Sequence, residues 1–379
     1  MKIAYFFTLG YSLSTWKNSG QLDRELEHFK LWQKINPGIN LTLFTYGKET
    51  DLTLIKSEFI KIIPIYKYIN FSKFKIINLL KSFLIVNSLK KIIQGQSYDL
   101  VIQNQLLGSW VSFKFKKLKK IPLIIRTGYD MYEFSKNENK SFVKQFFYKL
   151  ITKKSLKNAD LYTVTSECDK NFLIEQFGET FSTKIEIRKN WVSLNNIGKL
   201  KKPEERDSKK IVCVGRIEDQ KNYETIINAL KGTDFTIDIF GEGTKKNEII
   251  ELANKLNVEI KFKGIVDNQD LKKLLTNYKY YLTASKFEGN PKSVLEAMSA
   301  GCLVIASDIK NHNEFLNSEN SILFKDTKSL NEILKNLNKN HYDFKKITEN
   351  SLKAIRKNYA LEDIANLEIK DIEKLTYII

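Results

Sequence analysis

Ser285-Lys286-Phe287-Glu288-Gly289-Asn290-Pro291-Lys292-Ser293-Val294-Leu295-Glu296-Ala297-Met298 sets two glutamates eight residues apart across a Gly-Asn-Pro turn. Proline favours the first turn of a helix, where its missing N–H costs nothing, so a helix is expected from Pro291. Glu288 then stands in the loop ahead of that helix and Glu296 inside it. The backbone N–H groups of Gly289, Asn290 and Lys292 would then point into the space between, where a helix N-terminus attracts anions. An ordinary helix start with two solvated glutamates has the same signature, so the surroundings of the stretch decide its meaning.

Those surroundings alternate between strand-like and helix-like runs. Ile211–Val214, Thr236–Phe240, Ile260–Lys263, Tyr280–Thr283 and Leu303–Ala306 are short and apolar. Between them Tyr223–Leu230, Lys245–Leu256, Asp270–Asn277 and Pro291–Ala300 show helical spacing. The first half repeats the pattern, with strands at Ile3–Thr8, Leu41–Tyr46, Leu100–Gln103, Leu123–Arg126 and Leu161–Thr165. Its helices are expected at Leu22–Ile35, Asn78–Gln94 and Ser141–Lys157. Such alternation indicates an α/β protein with parallel sheets flanked by helices. A polar stretch containing Pro203 divides the two halves. The expected organisation is a first domain over 1–195, a linker over 196–210, a second domain over 211–360 and a terminal amphipathic helix within 361–379.

The 379 residues suit two domains, and 42% hydrophobic with 28% charged residues fits a globular chain. Cys168, Cys213 and Cys302 are widely spaced and form neither a metal-ligand pattern nor a disulfide framework, which favours a reducing compartment. The opening Met1–Phe7 run has no cleavage site behind it and reads as a first buried strand. The longest apolar stretch, 74–93, is broken by lysines and asparagines and is not expected to span a membrane. Net charge is +18 and lopsided. Residues 1–195 hold 31 Lys+Arg against 16 Asp+Glu, a net of +15, whereas 196–379 hold 31 against 28, a net of +3. Much of the excess comes from Lys61–Lys91 and the Lys114–Lys120 run. An anionic surface is the expected partner of the first half; compositional drift is the plain alternative.

Four more motifs surround the opening stretch. Val214-Gly215-Arg216-Ile217-Glu218-Asp219-Gln220-Lys221-Asn222 follows the first strand of the second domain, at the strand edge where open α/β sheets bind ligands. Gly215 permits close approach of the backbone, and Arg216 with Lys221 supplies two positive charges suited to phosphate. Phe240-Gly241-Glu242-Gly243 and Lys263-Gly264 follow the next two strands and read equally as tight turns. Gly301-Cys302-Leu303-Val304-Ile305-Ala306-Ser307 follows the glutamate pair. In this order and spacing the five motifs of 211–325 resemble retaining glycosyltransferases of family 4, which carry a Glu-x7-Glu signature on the GT-B fold. Ser299 and Leu303 stand where that family usually has Ala and Pro.

The resemblance implies two Rossmann-like domains facing each other across a cleft, with the terminal helix crossing back to the first. It implies a nucleoside diphosphate sugar as donor, no metal and no separate cofactor. Glu288 is then expected to hold the sugar's outer hydroxyls and Glu296 the ribose. Arg216 and Lys221 would neutralise the diphosphate, and Gly215, Gly241, Gly243, Gly289 and Asn290 would line the donor. In the first domain Gly20, ahead of the 21–35 helix, matches an early glycine loop or is an ordinary helix start. The histidine that many relatives place near the anomeric centre is missing. The three histidines are His28, His312 and His341, and the matching segment is Arg126-Thr127-Gly128-Tyr129-Asp130. Asp130 either orients or deprotonates an acceptor hydroxyl or caps the following helix. Asn190 resembles the segment closing the first domain. The expected activity is transfer of a hexosyl unit, with retention, to a hydroxyl of a lipid-linked saccharide in bacterial surface polysaccharide assembly. The expected location is the cytoplasmic face of the membrane. A nucleotide-sugar epimerase of the same fold, or a basic nucleic-acid-binding protein, are the alternatives; no recognised nucleic-acid motif supports the latter.

Overall fold

The computed structural model describes residues 1–70, 72–194, 200–337, 339 and 341–377. Residues 196–199 of the expected linker lie outside the described residues. The chain forms two compact units, one of residues 1–189 with 365–379 and one of residues 190–364.

The first unit is built on strands β1 (Lys2–Phe6), β2 (Asn40–Thr45), β3 (Ile60–Pro64), β4 (Leu100–Asn104), β5 (Leu123–Arg126), β6 (Leu161–Val164) and β7 (Ile185–Ile187). They form one sheet in the order β3-β2-β1-β4-β5-β6-β7, with every pairing parallel. Its helices are α1 (Leu13–Asn18), α2 (Leu22–Ile35), α3 (Ile65–Tyr68), α4 (Lys75–Ser82), α5 (Ile85–Ser88), α6 (Lys90–Ile93), α7 (Ser109–Lys119), α8 (Met131–Asn137), α9 (Phe142–Asn158) and α10 (Glu167–Phe177). The second unit has β8 (Asp207–Val214), β9 (Thr236–Phe240), β10 (Ile260–Gly264), β11 (Tyr278–Thr283), β12 (Leu303–Ser307) and β13 (Ile322–Phe324), in the order β10-β9-β8-β11-β12-β13, again all parallel. Its helices are α11 (Tyr223–Leu230), α12 (Lys246–Leu256), α13 (Asn268–Leu275), α14 (Lys292–Ser299), α15 (Lys310–Asn313), α16 (Thr327–Asn336) and α17 (Phe344–Asn358). The last helix is α18 (Leu361–Thr376).

Central strands of a parallel sheet are covered on both faces and read as unbroken apolar runs. All five residues of β12 are buried. Edge strand β10, Ile-Lys-Phe-Lys-Gly, instead alternates exposed lysines with half-buried residues. In both units the strand order reverses once, between β1 and β4 and between β8 and β11. At such a switch point the loops leaving the carboxyl ends diverge and open a crevice.

Ala365, Ile369 and Ile372 of α18 belong to the apolar core of the first unit, beside Phe29 and Trp32 of α2. The return is fixed by Glu368. Its buried carboxylate accepts from Trp32 Nε1 at 3.0 Å and from His28 Nε2 at 2.5 Å, and it pairs with Arg126 Nη2 at 3.0 Å. A bidentate pair from Arg188 to Asp371, with both contacts 2.6 Å, holds the next turn. Thus Arg126, in the segment that stands where relatives place the histidine, is the counter-ion of Glu368 in α18.

Burial alone would raise the Glu368 carboxyl; Arg126 and His28 outweigh it and bring it down to about 2. Its folded value therefore lies below the ordinary 4.5, and the folded state binds fewer protons in that window. The stabilisation is complete above about pH 4.5 and is lost as pH falls toward 2. Each tenfold change in proton affinity is worth about 1.4 kcal/mol, so Glu368 contributes on the order of 3 kcal/mol. Glu368→Gln should flatten the loss of denaturation midpoint between pH 5 and pH 2; an acid limb as steep as the wild type's would show that Glu368 does not carry it.

Candidate active site

The second unit gathers most of the expected site residues at its switch point. The loop after β8 carries Gly215, Arg216, Gln220 and Lys221, and the loop after β11 carries Ser285 to Pro291. The two are stitched together by a donation from Lys286 N to Gln220 O at 2.9 Å and from Gln220 Nε2 to Phe287 O at 2.8 Å. Across them runs a largely buried ion pair between Lys221 Nζ and Glu288 Oε1. Ser285 Oγ donates to the same Glu288 oxygen at 2.5 Å, and Gln220 Nε2 reaches Oε2 at 3.3 Å. Burial by itself would raise the Glu288 carboxyl, but the Lys221 ammonium and the Ser285 hydroxyl hold it below the usual carboxylate value. It is thus an anion at neutral pH, fully engaged by protein donors.

Sequence reasoning placed Lys221 and Glu288 in one pocket but did not foresee that they bind each other, nor that Gln220 and Ser285 complete the cluster. It also passed over His312. This residue lies in α15, just beyond β12, and is buried. Its Nδ1 lies 2.8 Å from the carbonyl of Ser307, and since a carbonyl only accepts, Nδ1 carries the proton. Nε2 is buried without a hydrogen-bond partner among the described residues. Burial lowers its pKa, while Glu288 and Lys221 act on it in opposite directions. The ring therefore stays neutral beside the pair. A histidine one strand away from a glutamate gives no signal in a linear sequence.

Arg216 is exposed, and its guanidinium reaches Gln220 Oε1 at 3.4 Å. Gly241 and Gly243 are required by packing. The loops after β8 and β9 cross through Gly215 N to Phe240 O at 3.0 Å and Ile217 N to Glu242 O at 3.1 Å. A Cβ at Gly241, whose φ is +144°, would sit 2.0 Å from Gly215 O, and one at Gly243 would sit 2.2 Å from Ile217 O. The tight-turn reading accounts for both.

Helix α14 begins at Lys292, with Pro291 as its N-cap in extended geometry (φ −72°, ψ 111°). The expected start at Pro291 is thus one residue early. Gly289 is buried before it. Asn290 is occupied internally: its Oδ1 accepts from Asn190 N at 3.2 Å, and its carbonyl accepts from Asn190 Nδ2. Glu296 is buried on the inner face of α14 and accepts from Asn268 Nδ2 at 2.5 Å, at the start of α13. The two glutamates therefore serve different neighbours: Glu288 faces the loop after β8, and Glu296 faces the one after β10.

Two expected residues belong to the first unit. Gly20 (φ +69°) lies in the turn between α1 and α2, where its N–H donates to Lys17 O at 3.0 Å. Asp130 is wholly buried and caps α8, accepting from Glu133 N at 2.9 Å and from Thr152 Oγ1 at 3.3 Å. Burial raises its carboxyl to about 6 against the hydrogen bonds that lower it. Of its two readings, the cap is the one this geometry supplies.

Residues 196–354 match the family model described as glycosyl transferases group 1. This stretch forms a glycosyl transferases group 1 domain. A curated relative, the N-acetylgalactosamine-N,N'-diacetylbacillosaminyl-diphospho-undecaprenol 4-alpha-N-acetylgalactosaminyltransferase of Campylobacter jejuni, is 31% identical over 182 residues, 47% of this chain and 48% of the relative. The chain thus spans about half the length of that relative. Two solved structures share the fold along almost all of the chain. Sucrose-phosphate synthase from Thermosynechococcus elongatus has a TM-score of 0.83 at 17% identity, covering 100% of both chains. Anabaena HepE, solved in complex with UDP, has a TM-score of 0.72 at 16% identity, covering 99% of this chain and 100% of its own. The fold is the GT-B fold of glycosyltransferases.

Removing Lys221 leaves Glu288 buried without its counter-ion. Breaking a buried pair from one side costs about 3 kcal/mol, so Lys221→Ala should lower the denaturation midpoint of the second unit. Glu288→Gln in the same chain should restore much of it. A double-mutant cycle with no coupling between the two positions would refute the pair's role.

Proposed function

We propose that the protein is a retaining, metal-independent glycosyltransferase that moves a hexosyl unit from a nucleoside diphosphate sugar to a hydroxyl of a lipid-linked saccharide. The observation that carries this reading is the Lys221–Glu288 pair at the β8/β11 switch point, with exposed Arg216 beside it, inside the domain that matches the family. A diphosphate entering there offers Lys221 a second anion, and a sugar offers Glu288 hydroxyl donors. Glu288 takes the sugar's outer hydroxyls, Glu296 the ribose, and Arg216 with Lys221 the phosphates. Gly289 and Asn290 lie at the N-terminus of α14, whose dipole favours the same negative charge.

As the bond from the anomeric carbon to the diphosphate breaks, charge gathers on the leaving oxygens, and fixed cations there lower the barrier. The acceptor oxygen bonds to the same face of that carbon, and its proton passes to the leaving phosphate. No strong base is required, which agrees with a buried, capping Asp130. The basic first unit fits a peripheral enzyme on the cytoplasmic face of the membrane, and the lipid-diphosphate substrate named for the Campylobacter relative supports that class of acceptor. Assembly of a bacterial surface polysaccharide is the setting we infer.

Arg216 is exposed, so Arg216→Ala should leave the unfolding temperature unchanged while cutting transfer at least about a hundredfold, the usual effect of losing one such electrostatic contact. Wild-type turnover in that variant would remove the assignment. A panel of nucleotide sugars read by thermal unfolding finds the donor, since a ligand at a hundred times its Kd adds about 2.7 kcal/mol.

A further inference from the structure

Exposed apolar side chains are unevenly spread over this protein. Among the described residues of the second unit, Ile265 is the single large hydrophobic side chain that is exposed. The first unit presents two stripes of them. Phe74 (70% exposed), Ile76 (73%), Leu80 and Leu84 run along α4 and its flanks at helical spacing, all outward. Phe142 (80%), Val143 (76%), Phe146 and Leu150 run along the first turns of α9. Both stripes flank α7. That helix packs against α5 and α9, with Trp110 stacked on Phe83 at 5.3 Å and Ser155 Oγ bonded to Ser109 Oγ at 3.1 Å.

The charge lies on the same elements. Residues 59–159 hold 20 Lys+Arg against 4 Asp+Glu, a net of +16 out of the chain's +18. Around the stripes Lys73, Lys117, Lys120, Lys144, Lys153 and Lys154 are exposed. Among the described residues no helix is long and apolar enough to cross a membrane.

We infer that α4 and α9 form a docking face for an anionic lipid surface, with their apolar stripes entering the acyl boundary and the lysines around α7 meeting the headgroups. An amphipathic helix with lysines beside its apolar face lies in that boundary, and each Lys near anionic lipid adds to the attraction. A second copy of the chain is a poor occupant, because it would bring two lysine-rimmed faces of the same charge together. A nucleic acid has no use for protruding Ile, Leu and Val side chains. The inference deepens the proposed lipid-linked acceptor and rests on it for its purpose. It differs from charge attraction alone in one respect: part of the binding survives high salt.

The test uses the full chain with vesicles of phosphatidylglycerol in phosphatidylcholine, read by co-sedimentation without donor or acceptor. Wild type should bind at about 0.1 M salt and keep a measurable fraction bound at about 1 M, where the Debye length is ~3 Å. Ile76→Ser/Leu80→Ser and Phe142→Ser/Phe146→Ser change exposed side chains, and their unfolding temperatures serve as the check on folding. Each should weaken binding more than about tenfold at low salt and abolish it at high salt. Lys117→Gln/Lys120→Gln/Lys144→Gln should weaken binding at low salt and leave the high-salt remainder in place. Wild type that ignores the vesicles, or serine variants that bind as it does, would overturn the inference. So would a wild-type dimer that the serine variants convert to monomer, since a second copy would then own the face. A chain that docks yet transfers to no lipid-linked saccharide leaves the face standing and removes the acceptor.

Discussion

The Lys221–Glu288 pair is the constraint on which the site depends. It forms because the strand order of the second unit reverses between β8 and β11, which sends the two loops over one crevice. A lysine six residues past Gly215 and a glutamate five residues past the end of β11 then meet. Each is costly to bury alone, so each fixes the other, and Gln220 and Ser285 hold Glu288. The glycines at 241 and 243 follow from the same crowding, because the loop after β9 must pass within carbonyl contact of the loop after β8. On the proposed function, a donor would have to compete with this arrangement rather than enter an empty pocket. On that reading the competition would favour a molecule whose phosphate and hydroxyl arrive together, one for each partner of the pair. That is a physical basis for selecting a molecule with both groups at a fixed separation.

The sequence announced this unit more fully than the other. Thr236–Phe240 and Tyr223–Leu230 match their elements end to end, because a fully buried parallel strand and an amphipathic helix each leave an unmistakable period. The five motifs fell at strand ends, where their chemistry is interpretable. What stayed hidden was pairwise. Nothing in a linear pattern says that Glu288 already has a cation, that Asn290 spends its side chain on Asn190, or that His312 stands beside them with a bare nitrogen.

In both units, short edge elements escaped for a different reason. β7 and β13 have three residues each, too few for a period, and β3 ends in Pro64 on the sheet's margin. Residues 78–94 read as one helix, yet they break near Phe83 and Leu89 without a glycine or proline to mark the break. Helix α7, Ser-Trp-Val-Ser-Phe-Lys-Phe-Lys-Lys-Leu-Lys, registered only as a basic run. Its buried side is carried by Trp110, Val111 and Phe115, which are hard to see among the lysines.

Glu368 shows how the same logic of paired charge serves a different end. A carboxylate, an arginine, a histidine and a tryptophan, drawn from three distant parts of the chain, are buried together where only a contact between α18 and the first unit could satisfy them. A one-residue slip turns a helix by about 100°, which would take Glu368 away from Arg126, His28 and Trp32 and leave its carboxylate buried without them. Apolar contacts hold α18 against the sheet, and the charges select its position along it. In the second unit the Lys221–Glu288 pair selects a loop geometry in the same way, but with one difference that matters for function. Glu368 is held by an arginine, a histidine and a tryptophan, whereas Lys221 and Glu288 sit at a sheet edge beside an exposed arginine. The first cluster fixes the position of a helix, and the second fixes the geometry of two loops.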